Sequence, residues 1–207
     1  MVRSTESIIP VILAAGNSTR MGYPKALLPL GEELFLTRIL RILRESGFER
    51  PRLILGQDAT LIKSRIGDYP ADILVNPDPN RGQLSSIQLG ISGLSEKFEA
   101  AMLWPVDQPA VSVEMTRSLI ELFTTKDCRI AVPISGGKRG HPAIFHRTLF
   151  YEFMEAPMEK GAKGIISRHE TETCFLSTDE SAAFTDIDTP SDYRTLTGRS
   201  LDSVLKT

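Results

Sequence analysis

Histidine and cysteine, from which nucleophile and zinc sites are most often built, are scarce here: three histidines and two cysteines in 207 residues. Cys128 and Cys174 are far apart and show no CxxC spacing, so a thiol redox motif is excluded. Two reduced, mostly buried thiols in a cytosolic protein are expected instead. His141 and His146 lack partners at zinc spacing. No GxSxG elbow or paired Cys/His signature occurs, which argues against covalent nucleophilic catalysis.

A surplus of one charge is also missing. The net charge is −2, so the chain as a whole is not built to hold nucleic acid or an anionic membrane surface. An anion must then be met by a local concentration of positive charge. No apolar run is long enough for a membrane span, and no basic-plus-apolar leader opens the sequence, so a cytoplasmic location is expected. The familiar phosphate loops are absent as well. Gly16 and Gly22 are separated by five residues and Lys25 follows three beyond Gly22, which breaks the Walker A spacing; there is no G-x-G-x-x-G either.

What is present is concentrated near the start. An apolar strand (Ile8, Ile9, Val11, Ile12, Leu13) runs into Ala14, Ala15 and Gly16, followed by Arg20, Gly22 and Lys25. Small residues let backbone N–H groups approach a ligand, and two cations answer a polyphosphate. The loop reads as a nucleoside triphosphate site. The plainer alternative is a strand-to-helix turn carrying surface charges.

Further on, apolar strands alternate with helix-period stretches. Phe35, Leu36, Ile39, Leu40, Ile42 and Leu43 recur at helical spacing and stop at Ser46-Gly47. Strands are expected at Arg52–Leu55, Ala71–Val75, Ala100–Val106 and Arg129–Val132. Helices are expected from about Asp58 to Ile66, through Ile87, Leu89 and Ile91 after a loop that begins at Gly82, and from about Glu114 to Phe123. The alternation predicts an α/β fold: a single three-layer, doubly wound (Rossmann-like) domain with a mostly parallel mixed sheet. It would span residues 1–207, with a core of about 8–195 and a tail of about 197–207, frayed or forming an oligomer contact. Gly136-Gly137 reads as a hairpin turn, and the segment through Phe145 as a β-arm covering the site.

Ligands of such sheets bind at the carboxyl ends of strands, which singles out Asp107 in Asp107-Gln108-Pro109. A carboxylate there fits Mg²⁺, which favours one or two carboxylates plus phosphate oxygens; an N-cap or Asx-turn fits equally. Asp186 and Asp188 would share one face just before a helix starting at Pro190, and capping competes there too. Gly82-Gln83-Leu84-Ser85-Ser86 opens a helix with amides and hydroxyls suited to a base or ribose, or simply to a cap. Gly137-Lys138-Arg139-Gly140-His141-Pro142 is either a charged hairpin tip or a clamp for an anionic second substrate.

Together, LAAG-x-S-x-R-M-G-x-P-K-x-L-L-P, GQLSSI, DQP, GHP and DIDTP resemble the MobA-like nucleotidyltransferases. Within them the closest resemblance is to the branch containing molybdenum cofactor cytidylyltransferase, from about Ile8 to Tyr193. That resemblance implies a fold of the nucleotide-diphospho-sugar transferase type. It implies nucleoside contacts from Leu13, Ala14, Ala15 and Gly16, and Arg20 and Lys25 on the triphosphate as catalytic groups with Asp107. Gly82, Ser85 and Ser86 would face the base, Asp107 and Asp188 would hold Mg²⁺, and Arg139, His141 and Lys163 would meet the acceptor. Relatives commonly carry Gly-Ala-Arg where this chain has Gly161-Ala162-Lys163, and Lys lacks the bidentate geometry of Arg. The guanylyltransferase branch typically has a Gly-Pro-Leu-Ala-Gly-like loop in place of Gly82–Ser86, which favours cytidine here.

The implied reaction is Mg²⁺-dependent transfer of CMP from CTP to the phosphate of molybdopterin, releasing pyrophosphate, as a step of molybdenum cofactor biosynthesis. Partners would be a molybdoenzyme or its chaperone, with no nucleic acid and no membrane. Two alternatives stand beside it: another phosphorylated acceptor such as a sugar phosphate, or a non-catalytic nucleotide-binding sensor or cofactor-delivery protein.

Overall fold

The computed structural model describes residues 3–157 and 161–205. Its centre is β1 (Ile8–Ala14), buried along its whole length. A small hairpin of β2 (Pro29–Leu30) and β3 (Glu33–Leu34) leads into α1 (Phe35–Glu45), then β4 (Arg52–Leu55), α2 (Ala59–Ile66), β5 (Asp72–Val75) and α3 (Gln83–Ile91). The sheet continues with β6 (Ala100–Pro105), α4 (Val113–Thr125), β7 (Ile130–Ser135), β8 (Lys138–Arg139) and β9 (Ala143–His146). The last elements are α5 (Phe150–Glu155), α6 (Gly161–Arg168), β10 (Thr173–Ser177), α7 (Pro190–Thr197) and α8 (Leu201–Leu205).

The main sheet runs β10-β7-β9-β6-β1-β4-β5, with β8 paired to β7. β1 is parallel to β4 and β6, β4 to β5, and β7 to β10, while β9 is antiparallel to both β6 and β7. Alternation along each strand divides the side chains between two layers. Ile8 and Ile12 of β1 join Leu36, Leu40, Met115 and Phe123 of α1 and α4 on one face. Ile9, Val11 and Leu13 join Leu84 and Ile87 of α3, Phe153 of α5 and Ile166 of α6 on the other. The sheet is a mostly parallel mixed one with helices on both faces, as expected. The six apolar residues that predict α1 are the six it buries, because a 3.6-residue period puts them on one stripe. At Gly90 of α3 an added Cβ would stand 2.5 Å from Val11 Cγ1, so only glycine lets α3 lie this close to β1.

Two expectations are corrected. The Gly136-Gly137 turn does join β7 and β8, but the segment through Phe145 is no arm over the site. It is β9, an interior strand, with Ala143, Ile144 and Phe145 buried. An apolar run of that kind lies inside a sheet because both its faces are covered. The stretch after Thr197 is not simply frayed. Leu201 of α8 is buried with Met21, Leu28, Phe35, Ile187 and Tyr193 in a third apolar cluster, and this cluster fastens the chain's last helices to the opening loop.

Candidate active site at the carboxyl ends of β1 and β6

The parallel register brings the ends of β1, β4 and β6 to one edge, where a cavity of about 310 Å³ opens. Leu13, Ala14, Ala15, Gly16 and Arg20 from the first loop line it, with Lys25, Gly82, Ser86, Asp107 and Asp188. The wall is tight: at Gly56, just after β4, a Cβ would lie 2.3 Å from the Ala15 carbonyl oxygen.

The first loop is an ordered turn. Ser18 adopts φ 49°, the left-handed region that a non-glycine residue enters at a cost and mostly where function or packing requires it. Its carbonyl accepts from Met21 N and Gly22 N, and its hydroxyl from Lys25 N. Lys25, starting a short 3₁₀ turn behind Pro24, is thereby aimed into the cavity.

At the centre, Lys25 Nζ donates to Asp107 Oδ2 at 3.0 Å and also to Asp188 Oδ1. Arg20 Nη2 reaches Asp188 Oδ2 at 2.8 Å. Burial works against the Lys25 charge, but Asp107 and Asp188 outweigh it and hold the ammonium above its ordinary value. Asp107 is pushed up, first by desolvation and against the pull of Lys25. Asp188 is held down, chiefly by its bond from Lys25. Neither carboxylate is used as a cap. Ser112 caps α4, accepting from Met115 N at 3.0 Å. Thr189 caps α7 in a reciprocal box with Asp192.

Two oxygens that share one cationic hydrogen-bond donor converge on one point. Two carboxylates open towards a polyanion are the donor set Mg²⁺ takes. Among the described residues no three His, Cys, Asp or Glu side chains gather around a single point, so any cation here would have only these two carboxylates from the protein. The pair therefore fits a divalent metal.

Asp186 departs from expectation. Residues 185–188 are not a strand, so strand alternation does not apply. Asp186 Oδ1 instead accepts from Gln108 Nε2 at 2.6 Å, away from Lys25. The serines diverge as well. Ser86 lines the cavity, whereas Ser85 turns inward, donating to the Gly82 carbonyl at 2.8 Å and accepting from Asn76 Nδ2 at 2.9 Å. Asn76 also donates to Ser86 Oγ at 2.9 Å. Asn76 follows directly on β5, and a polar residue closing an apolar strand is its signal in the sequence.

A second cavity of about 240 Å³ holds Arg139, His141, Lys163, Gly161 and Ala162 over Leu84, Ile87, Leu103, Phe145 and Ile166. Leu13 and Gln83 line both cavities, so the two are neighbours across the end of β1. Arg139 also donates to Ser167 Oγ and Glu170 Oε1, each at 3.2 Å. Burial lowers His141 below the ordinary imidazole value, against nearby Asp186 and Asp107. His146 stays outside both cavities and accepts from Thr148 N at its own 3₁₀ turn. Both thiols are free; burial, then Cys174, pushes Cys128 up to about 12.

No helix among the described residues is long and apolar enough to cross a membrane. Among curated proteins, molybdenum cofactor cytidylyltransferase of Escherichia coli is 24% identical over 89% of this chain and 93% of its own length. A probable molybdenum cofactor guanylyltransferase of Bacillus cereus is 30% identical over 62% of each chain. The bifunctional IPC transferase and DIPP synthase of Thermococcus kodakarensis is 35% identical, but the match spans 44% of this chain and only 22% of that protein. Among solved structures, Rv0371c of Mycobacterium tuberculosis superposes with a TM-score of 0.82 at 29% identity, covering 93% of this chain and 98% of that one. Its manganese complex gives 0.76 at 28%, covering 92% and 98%. The model of the MobA-like NTP transferase domain matches residues 10–173, and with these strand-end loops the chain belongs to that family.

Proposed function

We propose that the chain transfers CMP from CTP to the phosphate of molybdopterin, with Mg²⁺ and with release of pyrophosphate, in the cytoplasm. The observation that carries the transfer is Lys25 held between Asp107 and Asp188 at the mouth of the first cavity. A pure nucleotide binder has little need of two convergent carboxylates where the phosphates would lie.

The main obstacle to such a transfer is charge, since two polyanions must meet. An acceptor phosphate monoester, with a second pKa of about 6, is largely dianionic at neutral pH and needs no protein base. Its oxygen attacks the α-phosphorus in line as the bond to the β-phosphate oxygen breaks. Lys25 and Arg20 hold the triphosphate and the departing pyrophosphate, and the amide-rich turn of residues 14–20 fixes the nucleoside. Asp107 and Asp188 would hold a Mg²⁺ ion, which would supply further charge neutralisation at the phosphates. Arg139, Lys163 and His141 receive the acceptor.

The second cavity favours molybdopterin over a hexose phosphate. Its floor is aliphatic and aromatic, with cations at the rim, which suits a flat fused ring bearing a phosphate. A sugar would leave hydroxyls facing Leu103 and Phe145 without partners. For the base, Gly82-Gln83 and Ser86 stand where the Gly-Pro-Leu-Ala-Gly-like loop would be in the guanylyl branch.

Pyrophosphate release on mixing the protein with Mg²⁺, each NTP in turn, and molybdopterin or a sugar phosphate tests this reading. Release with CTP and molybdopterin alone supports it. Release with a sugar phosphate reassigns the acceptor. Tight nucleotide binding without release from any pair overturns transfer in favour of a sensor or delivery protein.

A further inference from the structure

Two hydrogen bonds tie the turn after β6 to the segment before α7. Ile187 N donates to the Asp107 carbonyl at 2.9 Å, and Gln108 Nε2 donates to Asp186 Oδ1 at 2.6 Å. The first joins main chain to main chain. The second is a choice of side chain. Gln108 is 3% exposed, and its own carbonyl is fixed by Trp104 Nε1 at 3.0 Å, with Trp104 fully buried in β6. Gln108 Oε1 is buried and has no hydrogen-bond partner among the described residues. Burying an amide is unfavourable unless it is hydrogen-bonded, which puts weight on the bond that its nitrogen makes. Among the described residues its side chain's hydrogen bond is to the carboxylate of Asp186, two residues from Asp188.

We propose that Gln108 is a positioning residue: by holding Asp186 it fixes the 186–188 segment against the Asp107 turn and sets the spacing of the Asp107 and Asp188 carboxylates for a divalent cation. This rests on reading Asp107 and Asp188 as the metal-holding pair. The chain of support runs from Trp104 through Gln108 and Asp186 to Asp188. Asp186 acts here as a hydrogen-bond acceptor, and its negative charge is not what the contact needs. Partners behind metal ligands orient them, and their loss typically weakens metal binding.

The test is Mn²⁺ binding to the full chain, read from the free-ion electron paramagnetic resonance signal, with and without CTP. Gln108→Leu and Asp186→Ala are each expected to weaken Mn²⁺ binding by about 10–100-fold. The double variant should be no worse than either single one, since both break the same contact. Asp186→Asn keeps an amide oxygen for Gln108 and should bind Mn²⁺ as the wild type does. Equal loss in Asp186→Asn and Asp186→Ala overturns the proposal, because Asp186 would then act through its charge. Additive losses, or unchanged binding in Asp186→Ala, also overturn it. Asp186 is exposed, so its variants carry the test should Gln108→Leu fail to fold. Asp107→Asn separates the two levels. If it binds Mn²⁺ as the wild type does, the metal-pair reading fails and this inference with it. If it loses binding while the Gln108 and Asp186 variants keep theirs, only the role of Gln108 falls.

Discussion

Lys25 Nζ stands 3.0 Å from Asp107 Oδ2 while also bonded to Asp188, so one ammonium occupies the point on which two carboxylates converge. On the proposed reading a divalent cation at that point and Lys25 exclude each other, and a bound triphosphate would draw the lysine away. Lys25→Ala should therefore weaken CTP binding by about 10–100-fold, the worth of one charged hydrogen bond. The same variant should bind Mn²⁺ more tightly than wild type when no nucleotide is present. Calorimetry with each ligand alone checks both signs.

Asp107→Asn should keep the fold, since the side chain caps no helix, yet lower Mg²⁺-dependent pyrophosphate release by about a hundredfold or more. Unchanged turnover would remove Asp107 from the chemistry.

Arg139 and Lys163 face the second cavity and not the first. Arg139→Ala should raise the KM for molybdopterin while leaving CTP affinity unchanged. Initial rates with each substrate varied in turn distinguish this from a shift in both.

Asn76 bonds both Ser85 and Ser86 with one amide nitrogen and accepts Asp78 N through its oxygen at 3.0 Å. Asn76→Ala leaves buried hydroxyls short of a donor and should cost about 1–3 kcal/mol. Urea denaturation measures that loss, and on the proposed function a raised KM for CTP should accompany it, because Ser86 lines the first cavity.

Glu152 links α5 to His169 Nε2 at 2.6 Å and to Arg168 Nη2 at 2.9 Å. Desolvation pushes its carboxyl up, but these two partners outweigh it and leave the value below that of an ordinary glutamate. A lowered folded value means stability that is present above about pH 4.3 and lost as pH falls through the folded value. Glu152→Gln should flatten that acid limb of Tm against pH and leave the limb above neutrality unchanged.

The sheet and the opening loop are legible because their signals are local. A strand emptying into small residues and two cations marks one sheet edge whatever lies elsewhere, and the period of Phe35 to Leu43 fixes α1. Beyond Val132 local pattern weakens. β9 reads as an arm because nothing in Ala143–His146 reveals that β6 and β7 will close on both its sides. β10 is half-buried at the edge of the sheet, and its five residues show no clear alternation. At the site, Asp188 was legible from its motif, but Gln108 and Asn76 were not, since what matters in each is the partner: Asp186 lies 78 residues from Gln108. Long-range pairing of that kind leaves no periodic trace. What parts Ser85 from Ser86 is that the Ser85 hydroxyl also donates to the Gly82 carbonyl at 2.8 Å, while Asn76 donates to both serines.

The third apolar cluster sets the order in which the site can be completed. Met21, Leu28 and Phe35 come from the first fifth of the chain, while Ile187, Tyr193 and Leu201 come from its last fifth. A nascent chain released only as far as β10 would have every strand of the sheet and the whole donor loop. It would still hold one of the two carboxylates that meet at Lys25. Such a fragment could fold around its core and would still lack Asp188 until the segment before α7 emerges and α7 and α8 latch it.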